Sequence, residues 1–183
     1  MPEKYFLTEY HTTDLMENMS EIAHTPAEDV PDLIMAIGRI AVRHAMLEIL
    51  ICDLLGQLLR LTLKESESVF AHLGLKAKLD MAGSLAHEIQ NDGAKKKYLL
   101  DILSQADNVS RFRNSFSHQL IGYAKDSEGG LHFYQTIARG KPLQKKITPV
   151  SSKDASDAAV QLGKLNYKLM NIVLGSKPWL SDA

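Results

Sequence analysis

The sequence predicts an all-α protein, an up-and-down bundle of four to five helices with a small β-hairpin insertion before the last helix. Three observations predict this fold. Leucine, alanine and other helix-forming residues dominate, and only 7% of the residues are aromatic. Apolar residues recur at helical spacing over most of the chain, as expected of helices that bury one face. Strand-like and turn-rich sequence is confined to one region after Gly122.

The composition is that of a globular chain with one compact domain. Of the 183 residues, 45% are hydrophobic and 23% are charged, which is ordinary for a folded protein. The single cysteine, Cys52, excludes an intramolecular disulfide and a zinc site built from cysteines. The sequence contains no transmembrane run and no secretory signal. We therefore expect a cytoplasmic protein without a membrane partner, a metal or a cofactor.

Charge is distributed unevenly along the chain. Residues 1–35 carry eight acids and one base, Lys4, although the net charge of the whole chain is −1. Residues 1–25 are predicted to form an acidic N-terminal arm, and residues 26–177 to form the helical domain. Between Gly129 and Lys153 there are five bases and no acid. This segment either attracts a polyanion or is a solvated face of a loop.

The first helix is predicted to begin near Asp29, because that residue can cap a helix and Pro31 suits the first turn. A seam of apolar residues then continues for about 30 residues. This length suits one long rod of a bundle. The seam consists of Leu33, Ile37, Ile40, Leu47, Ile51, Leu54, Leu58 and Leu61, with His44 completing its spacing.

Two shorter helices are predicted next. Residues 62–65 resemble a capping box, in which a threonine and a glutamate satisfy each other's backbone amides. The helix that they open is expected to run through Leu73 and to end at Gly74. A third helix is expected over about residues 76–89, stopped by the sequence Asn-Asp-Gly at 91–93.

The β insertion is predicted from three short extended segments. Residues 123–125 and 131–137 have strand character on either side of a turn cluster at 126–130. A third extended piece is expected at 143–148. The last helix opens at residues 151–154, where a serine can act as the N-cap.

Most enzyme signatures are absent from the sequence. We find no phosphate-binding Walker loop, no dinucleotide-binding glycine pattern and no nucleophile elbow. The pair His87-Glu88 lacks the second histidine of a zinc-protease helix. The seven histidines are scattered along the chain, so no local spacing supports a metal site.

The segment from Arg111 to His118 carries the candidate chemistry, at the end of a fourth helix that starts near Ala94. Arg113 falls on the apolar seam of this helix, so its guanidinium must find an anion, reach solvent or face a groove. Asn114 and His118 are four positions apart and share a face. Arg113 and His118 are separated by about 140° around the axis. Only the long arginine side chain, or fraying of the helix end, would bring both to one phosphate. Arg111 is seven positions before His118 and lies almost directly below it on the helix, so it is a second candidate for the phosphate-binding arginine.

The arrangement Arg113-Asn114 followed by His118 resembles the signature of the HEPN superfamily, the "higher eukaryotes and prokaryotes nucleotide-binding" helical domains. Members carry an arginine, often followed by a polar residue, with a histidine a few positions later. The resemblance extends roughly from Asp29 to Leu174 and includes the long early helix and the closing helix. It implies a metal-independent endoribonuclease, in which the ribose 2′-OH attacks the adjacent phosphate and leaves a 2′,3′-cyclic phosphate and a 5′-OH.

The resemblance also implies a role for each residue of the motif. His118 would act as general base or acid, because imidazole titrates near neutral pH. Arg113 would hold the phosphate and stabilise the charge that develops on it. Asn114 would orient His118 or bind the substrate. One histidine cannot easily serve as both base and acid, and members of the family join two motifs across a dimer groove, so a homodimer is expected. The residues predicted to contact RNA are Arg111, Ser117, Arg139, Lys141, Lys145 and Lys146.

Two further features bear on these expectations. Arg39 and His44 have the same spacing as the motif, but Ile40 follows the arginine, and we interpret that pair as a chance match. His44 and Glu48 are one helical turn apart. One prediction is that they form a polar pair at the bundle or dimer interface. The other is that they support the active groove.

A toxin or defence role, with an antitoxin as partner, is one biological setting that the resemblance implies. Some members carry a tyrosine two positions after the histidine, where a partner enzyme modifies them. Leu120 occupies that position here, which argues against this one form of regulation. The alternative function is a non-catalytic HEPN-like module that binds RNA, a nucleotide or another protein.

Overall fold

The computed structural model describes residues 22–24, 31–89, 92–118, 120–124, 131–137 and 144–175, with side chains described over 31–88, 92–116 and 148–175. These ranges contain five helices and four strands, and the predicted all-α bundle is confirmed. In chain order the elements are β1 (Ile22–His24), α1 (Pro31–Leu58), α2 (Leu63–Phe70), α3 (Leu75–Ile89), α4 (Gly93–His118), β2 (Leu120–Ala124), β3 (Leu131–Ile137), β4 (Gln144–Pro149) and α5 (Ser152–Val173).

Helix α1 is the central element of the bundle, and it packs most extensively against α5. The two helices run in the same direction. Asn166 Nδ2 donates to the Arg43 carbonyl at 2.8 Å, and further along Gln57 Nε2 donates to the Val173 carbonyl at 2.7 Å. No helix in the described ranges is both long and apolar enough to cross a bilayer.

The core is built from the apolar seams that the sequence predicts. Most of the predicted seam of α1 is buried, together with matching faces of α3, α4 and α5. Each fully buried large side chain contributes about 1.5–3 kcal/mol relative to an exposed position. The largest fully buried side chains are Phe70, Leu33, Ile40, Leu47, Ile51, Leu55, Leu99, Ile102, Leu162 and Leu169.

The helix starts follow local capping chemistry. At α2 the predicted capping box is present: Thr62 Oγ1 accepts from the Glu65 amide, and the Glu65 carboxylate accepts from the Thr62 amide at 2.8 Å. Helix α2 ends at Phe70, three residues earlier than predicted. Ser151 is the N-cap of α5, as expected, and accepts from the Asp154 amide at 3.0 Å.

The β insertion is larger than the predicted hairpin. Strands β2, β3 and β4 form an antiparallel meander, and β1 adds to the edge beside β2 to give the order β1-β2-β3-β4. In this pairing Ile22 lies opposite Ala124. The predicted acidic arm therefore contributes a strand to the sheet. Three residues are too short to show the alternating pattern from which a strand is predicted.

Candidate functional site

Four polar side chains from three helices are linked by pairwise interactions, and we call them the polar cluster: His44 and Glu48 of α1, Lys78 of α3 and Arg113 of α4. His44 and Lys78 are among the few buried polar residues of the described chain, with exposed fractions of 7% and 4%. His44 and Glu48 share one face of α1 because they are one turn apart. Two members of the cluster, His44 and Lys78, are therefore buried on helices whose apolar faces form the core.

His44 and Arg113 are electrostatically coupled within this cluster. Burial lowers the pKa of His44, and the nearby guanidinium of Arg113 lowers it further, whereas Glu48 opposes the shift. The histidine is therefore neutral at pH 7. A neutral imidazole does not repel the guanidinium, so His44 can lie beside Arg113 without destabilising it.

Lys78 forms the second half of the cluster with Glu48. The Lys78 ammonium donates to Glu48 Oε1 at 3.0 Å, and the side chains are 5% and 39% exposed. Burial acts to lower the pKa of Lys78, but the hydrogen bond to Glu48 and the interaction with Cys52 outweigh it and raise that pKa. No hydrogen bond joins Glu48 to His44 among the described residues, so the predicted pair of these two residues is replaced by Glu48–Lys78.

Sequence reasoning did not single out Lys78. A signal is nevertheless present, because Lys78 occupies the apolar seam of α3, three positions after Leu75 and four before Ala82. A lysine at such a position must be paired or must reach solvent.

Arg113 is half-buried near the C-terminal end of α4. Its Nη1 donates to Asn114 Oδ1 at 3.1 Å, so the first two residues of the motif are in direct contact. Its Nε is buried and has no hydrogen-bond partner among the described residues. An unpaired buried donor is unfavourable, and an oxyanion placed against the guanidinium would satisfy it.

Helix α4 continues without interruption through His118. Arg113 and His118 are therefore about 140° apart around the axis, and the helix end is not frayed at residues 115–117. The side chains of Ser117 and His118 lie outside the described part. Within a regular helix, only the reach of the arginine side chain brings the two residues toward one phosphate.

Arg111 lies on a different side of α4, about 200° from Arg113. It is exposed, and its Nη2 donates to Asp107 Oδ2 at 2.6 Å. Asp107 also lies 3.5 Å from the Lys76 ammonium. Arg111 therefore belongs to a surface ion-pair network, and Arg113 is the arginine that contacts Asn114.

Of the other predicted RNA contacts, Ser117 is in α4 and two lysines are in the sheet. Lys145 and Lys146 are in β4, opposite Thr136 and Gln135 of β3, and their side chains lie outside the described part. Arg139 and Lys141, also predicted to contact RNA, lie outside the described residues. Strand β2 follows α4 in the chain, and β4 is separated from β2 in the sheet by β3.

The chance Arg39–His44 pair does not form a site. Arg39 is exposed and its Nη2 contacts Met35 Sδ at 3.2 Å, whereas His44 is buried. Among the described residues, no three His, Cys, Asp or Glu side chains converge as metal ligands would.

Comparisons of the chain with models of protein families, with curated proteins and with solved structures gave no match.

Proposed function

We propose that the protein is a metal-independent endoribonuclease of the HEPN type that acts as a homodimer. The observation that carries the proposal is the state of Arg113. Its guanidinium is half-buried, bonded to Asn114 and left with a buried Nε donor that has no partner among the described residues. The same helix ends at His118. A buried donor without a described partner, on a helix that also carries His118, supports the binding of a phosphate by Arg113.

In the proposed reaction the scissile phosphate binds to the guanidinium of Arg113. The 2′-OH gives its proton to one imidazole and its oxygen forms a bond to phosphorus. The bond from phosphorus to the 5′-oxygen breaks, and that oxygen takes a proton from a second, protonated imidazole. Arg113 stabilises the negative charge on the non-bridging oxygens, since it is always protonated and offers paired donors.

The neutral state of His44 supports this role of Arg113. A carboxylate beside the guanidinium would neutralise it and compete with the phosphate. Glu48 is the acid nearest to His44 on α1, and its carboxylate is bound to Lys78 at 3.0 Å. The described partners of the Arg113 guanidinium are therefore the neutral imidazole of His44 and the side-chain amide of Asn114. Its positive charge is available to a substrate.

A second copy of the chain would supply the second imidazole. Helix α1 carries an exposed apolar stripe that a partner copy could cover: Met35 (49%), Val42 (73%), Met46 (40%) and Ile49 (57% exposed). These residues recur at intervals of three, four or seven and so lie on one side of the helix. Contiguous exposed apolar surface of this kind is typical of protein interfaces.

Cleavage of a labelled, unstructured RNA in EDTA tests the chemistry. We expect wild-type protein to release fragments with cyclic phosphate ends, and His118→Ala to be slower by about 100-fold or more. Arg113→Lys keeps the charge but not the paired donors, and we expect it to be impaired as well. Arg60→Ala, which removes an exposed arginine after the end of α1, is the matched control and should cleave normally.

The reaction pathway gives a second readout. Replacing the ribose at the cut site by deoxyribose removes the nucleophile and should abolish cleavage there. Wild-type protein that binds RNA without cleaving it, with binding unchanged in His118→Ala, would contradict catalysis and indicate a non-catalytic RNA-binding module. If the proposed toxin role is correct, expression in bacteria should arrest growth and His118→Ala should relieve the arrest.

The dimer has its own test. Sedimentation of wild-type protein should give a dimer, and Val42→Glu/Ile49→Glu should give an inactive monomer. Val69→Glu changes an equally exposed apolar residue on α2 (52% exposed) and should leave the dimer intact. An active monomer would overturn the shared site.

A further inference from the structure

An open groove of about 700 Å³ lies over α5, and we call it the α5 groove. Its floor and one wall come from α5, and residues of α1 and of the start of α4 complete it. It is separate from the polar cluster, because Arg43 and His44 are consecutive on α1 and point about 100° apart. The residues that matter for its chemistry are Arg43, Tyr98, Lys164, Tyr167, Lys168 and Asn171.

The groove is positively charged. Lys164 and Lys168 are one turn apart on α5 and both line it, as does Arg43. None of the described residues that line it is acidic. Three cations with no carboxylate among the described lining residues create a local field that attracts anions.

Arg43 is held in place at the groove. Its Nη1 donates to the Ala159 carbonyl, and Gly163 makes room for it, since a Cβ at position 163 would lie 3.2 Å from two guanidinium atoms. Among the described residues, Ala159 is the only hydrogen-bond partner of this guanidinium, which has five donor hydrogens. The remaining donors are available to a ligand.

Two tyrosine rings accompany these cations. Tyr98 is 43% exposed and Tyr167 is 63% exposed, and Tyr167 is three positions after Lys164 and one before Lys168 on α5. The Tyr167 ring, left this exposed, gains little from folding. Cations that alternate with exposed rings along a groove are the features by which proteins bind single-stranded nucleic acid, since phosphates need charge and bases stack on rings.

We propose that the α5 groove binds single-stranded RNA, with the backbone on Arg43, Lys164 and Lys168 and a base stacked on Tyr167. The lining of α5 extends over residues 160–171, which is about 16 Å of helix. This length exceeds a single mononucleotide and suits a short segment of strand. The choice of RNA over another single strand rests on the proposed function, whereas the presence of a nucleic-acid groove does not.

Equilibrium binding of a fluorescent 2′-O-methyl RNA, which cannot be cleaved by attack of a 2′-OH, tests this groove independently of catalysis. Lys164→Gln/Lys168→Gln should bind more weakly, and the slope of log Kobs against log salt should fall by about 1.4, or 0.7 for each charge. Arg60→Gln/Lys64→Gln removes two exposed charges, one after the end of α1 and one in the first turn of α2, and should leave the slope unchanged.

Tyr167 distinguishes stacking from charge. Tyr167→Ala should weaken binding by about tenfold, whereas Tyr167→Phe keeps the ring and should bind like the wild type. A general polyanion surface would lose nothing in Tyr167→Ala, and polyglutamate would compete as well as RNA; either result overturns the proposal.

The two proposals fail in different ways. Wild-type affinity in both the lysine and the Tyr167→Ala variants would overturn the α5 groove, even if the protein cleaves RNA through Arg113 and His118. Absence of cleavage by wild-type protein, together with weaker binding in the groove variants, would overturn the endoribonuclease and support the groove.

Discussion

His44 of α1 and Arg113 of α4 are coupled across the bundle: burial lowers the pKa of His44, and the guanidinium of Arg113 lowers it further. The folded protein thus holds this imidazole neutral, whereas the unfolded chain protonates it near pH 6.5. The coupling links the stability of the bundle to the residue that we propose binds phosphate.

Stability should therefore fall as the pH drops below about 6.5, because the unfolded chain then binds a proton that folded His44 resists. Above that pH the contribution of neutral His44 is fully present. Urea unfolding at pH 7.5 and at pH 5 measures how much the free energy of unfolding decreases between these pH values. His44→Gln should lose less stability than the wild type between these pH values, and His72→Gln, at an exposed histidine, should lose as much as the wild type. Equal losses in all three proteins would contradict the coupling.

The Lys78–Glu48 pair should respond asymmetrically to mutation. Glu48→Ala removes the carboxylate partner of the buried Lys78 ammonium and should cost about 3 kcal/mol in the free energy of unfolding. Lys78→Met leaves Glu48, which is 39% exposed and can turn to water, so it should cost about 1 kcal/mol or less. Chemical denaturation of the two variants measures the difference in the free energy of unfolding. A larger loss in Lys78→Met than in Glu48→Ala would contradict the idea that the buried lysine depends on the carboxylate.

Gly56 is required where α1 meets α2. A Cβ at this position would lie 2.4 Å from Ser66 Oγ, so Gly56→Ala should destabilise the protein by about 1–3 kcal/mol despite the better helix propensity of alanine. Gly56→Ala/Ser66→Ala removes that oxygen and should recover much of the loss. Gly38→Ala is the matched control: a Cβ there meets nothing within 4 Å, and its melting temperature should rise. A stabilised Gly56→Ala would contradict the close contact.

The capping box of α2 should contribute measurably to stability. Thr62→Ala removes the acceptor of the Glu65 amide and should cost about 1 kcal/mol, whereas Thr62→Ser should cost little. Hydrogen bonds from the Thr62 hydroxyl and amide lower the pKa of Glu65. This contribution is therefore present above the unfolded pKa of a glutamate and is lost as the pH falls. Thermal melts at pH 7 and pH 3.5 check the cost of Thr62→Ala and its decrease at low pH. Equal stability of Thr62→Ala and wild type at pH 7 would contradict a contribution of the capping box.

Local sequence was sufficient for most of the helical framework. The seam from Leu33 to Leu58, the capping box at Thr62 and the N-cap at Ser151 all act over a few neighbouring residues, and their spacing is visible without knowledge of the fold. The strand at 131–137 was predicted for the same reason. The short edge strand at Ile22–His24 was missed, because its hydrogen bonds are made to Ala124 and its neighbours, far along the chain.

What the sequence by itself determined was the all-α bundle, the position of its helices and the segment that carries Arg113, Asn114 and His118. Only the tertiary structure decided that Glu48 binds Lys78 instead of His44, that Arg111 pairs with Asp107, and that Arg43 meets Lys164 and Tyr167 in one groove. The physical reason is the range of the interactions. Apolar periodicity and capping are local, whereas burial and ion pairing depend on which faces of distant helices meet.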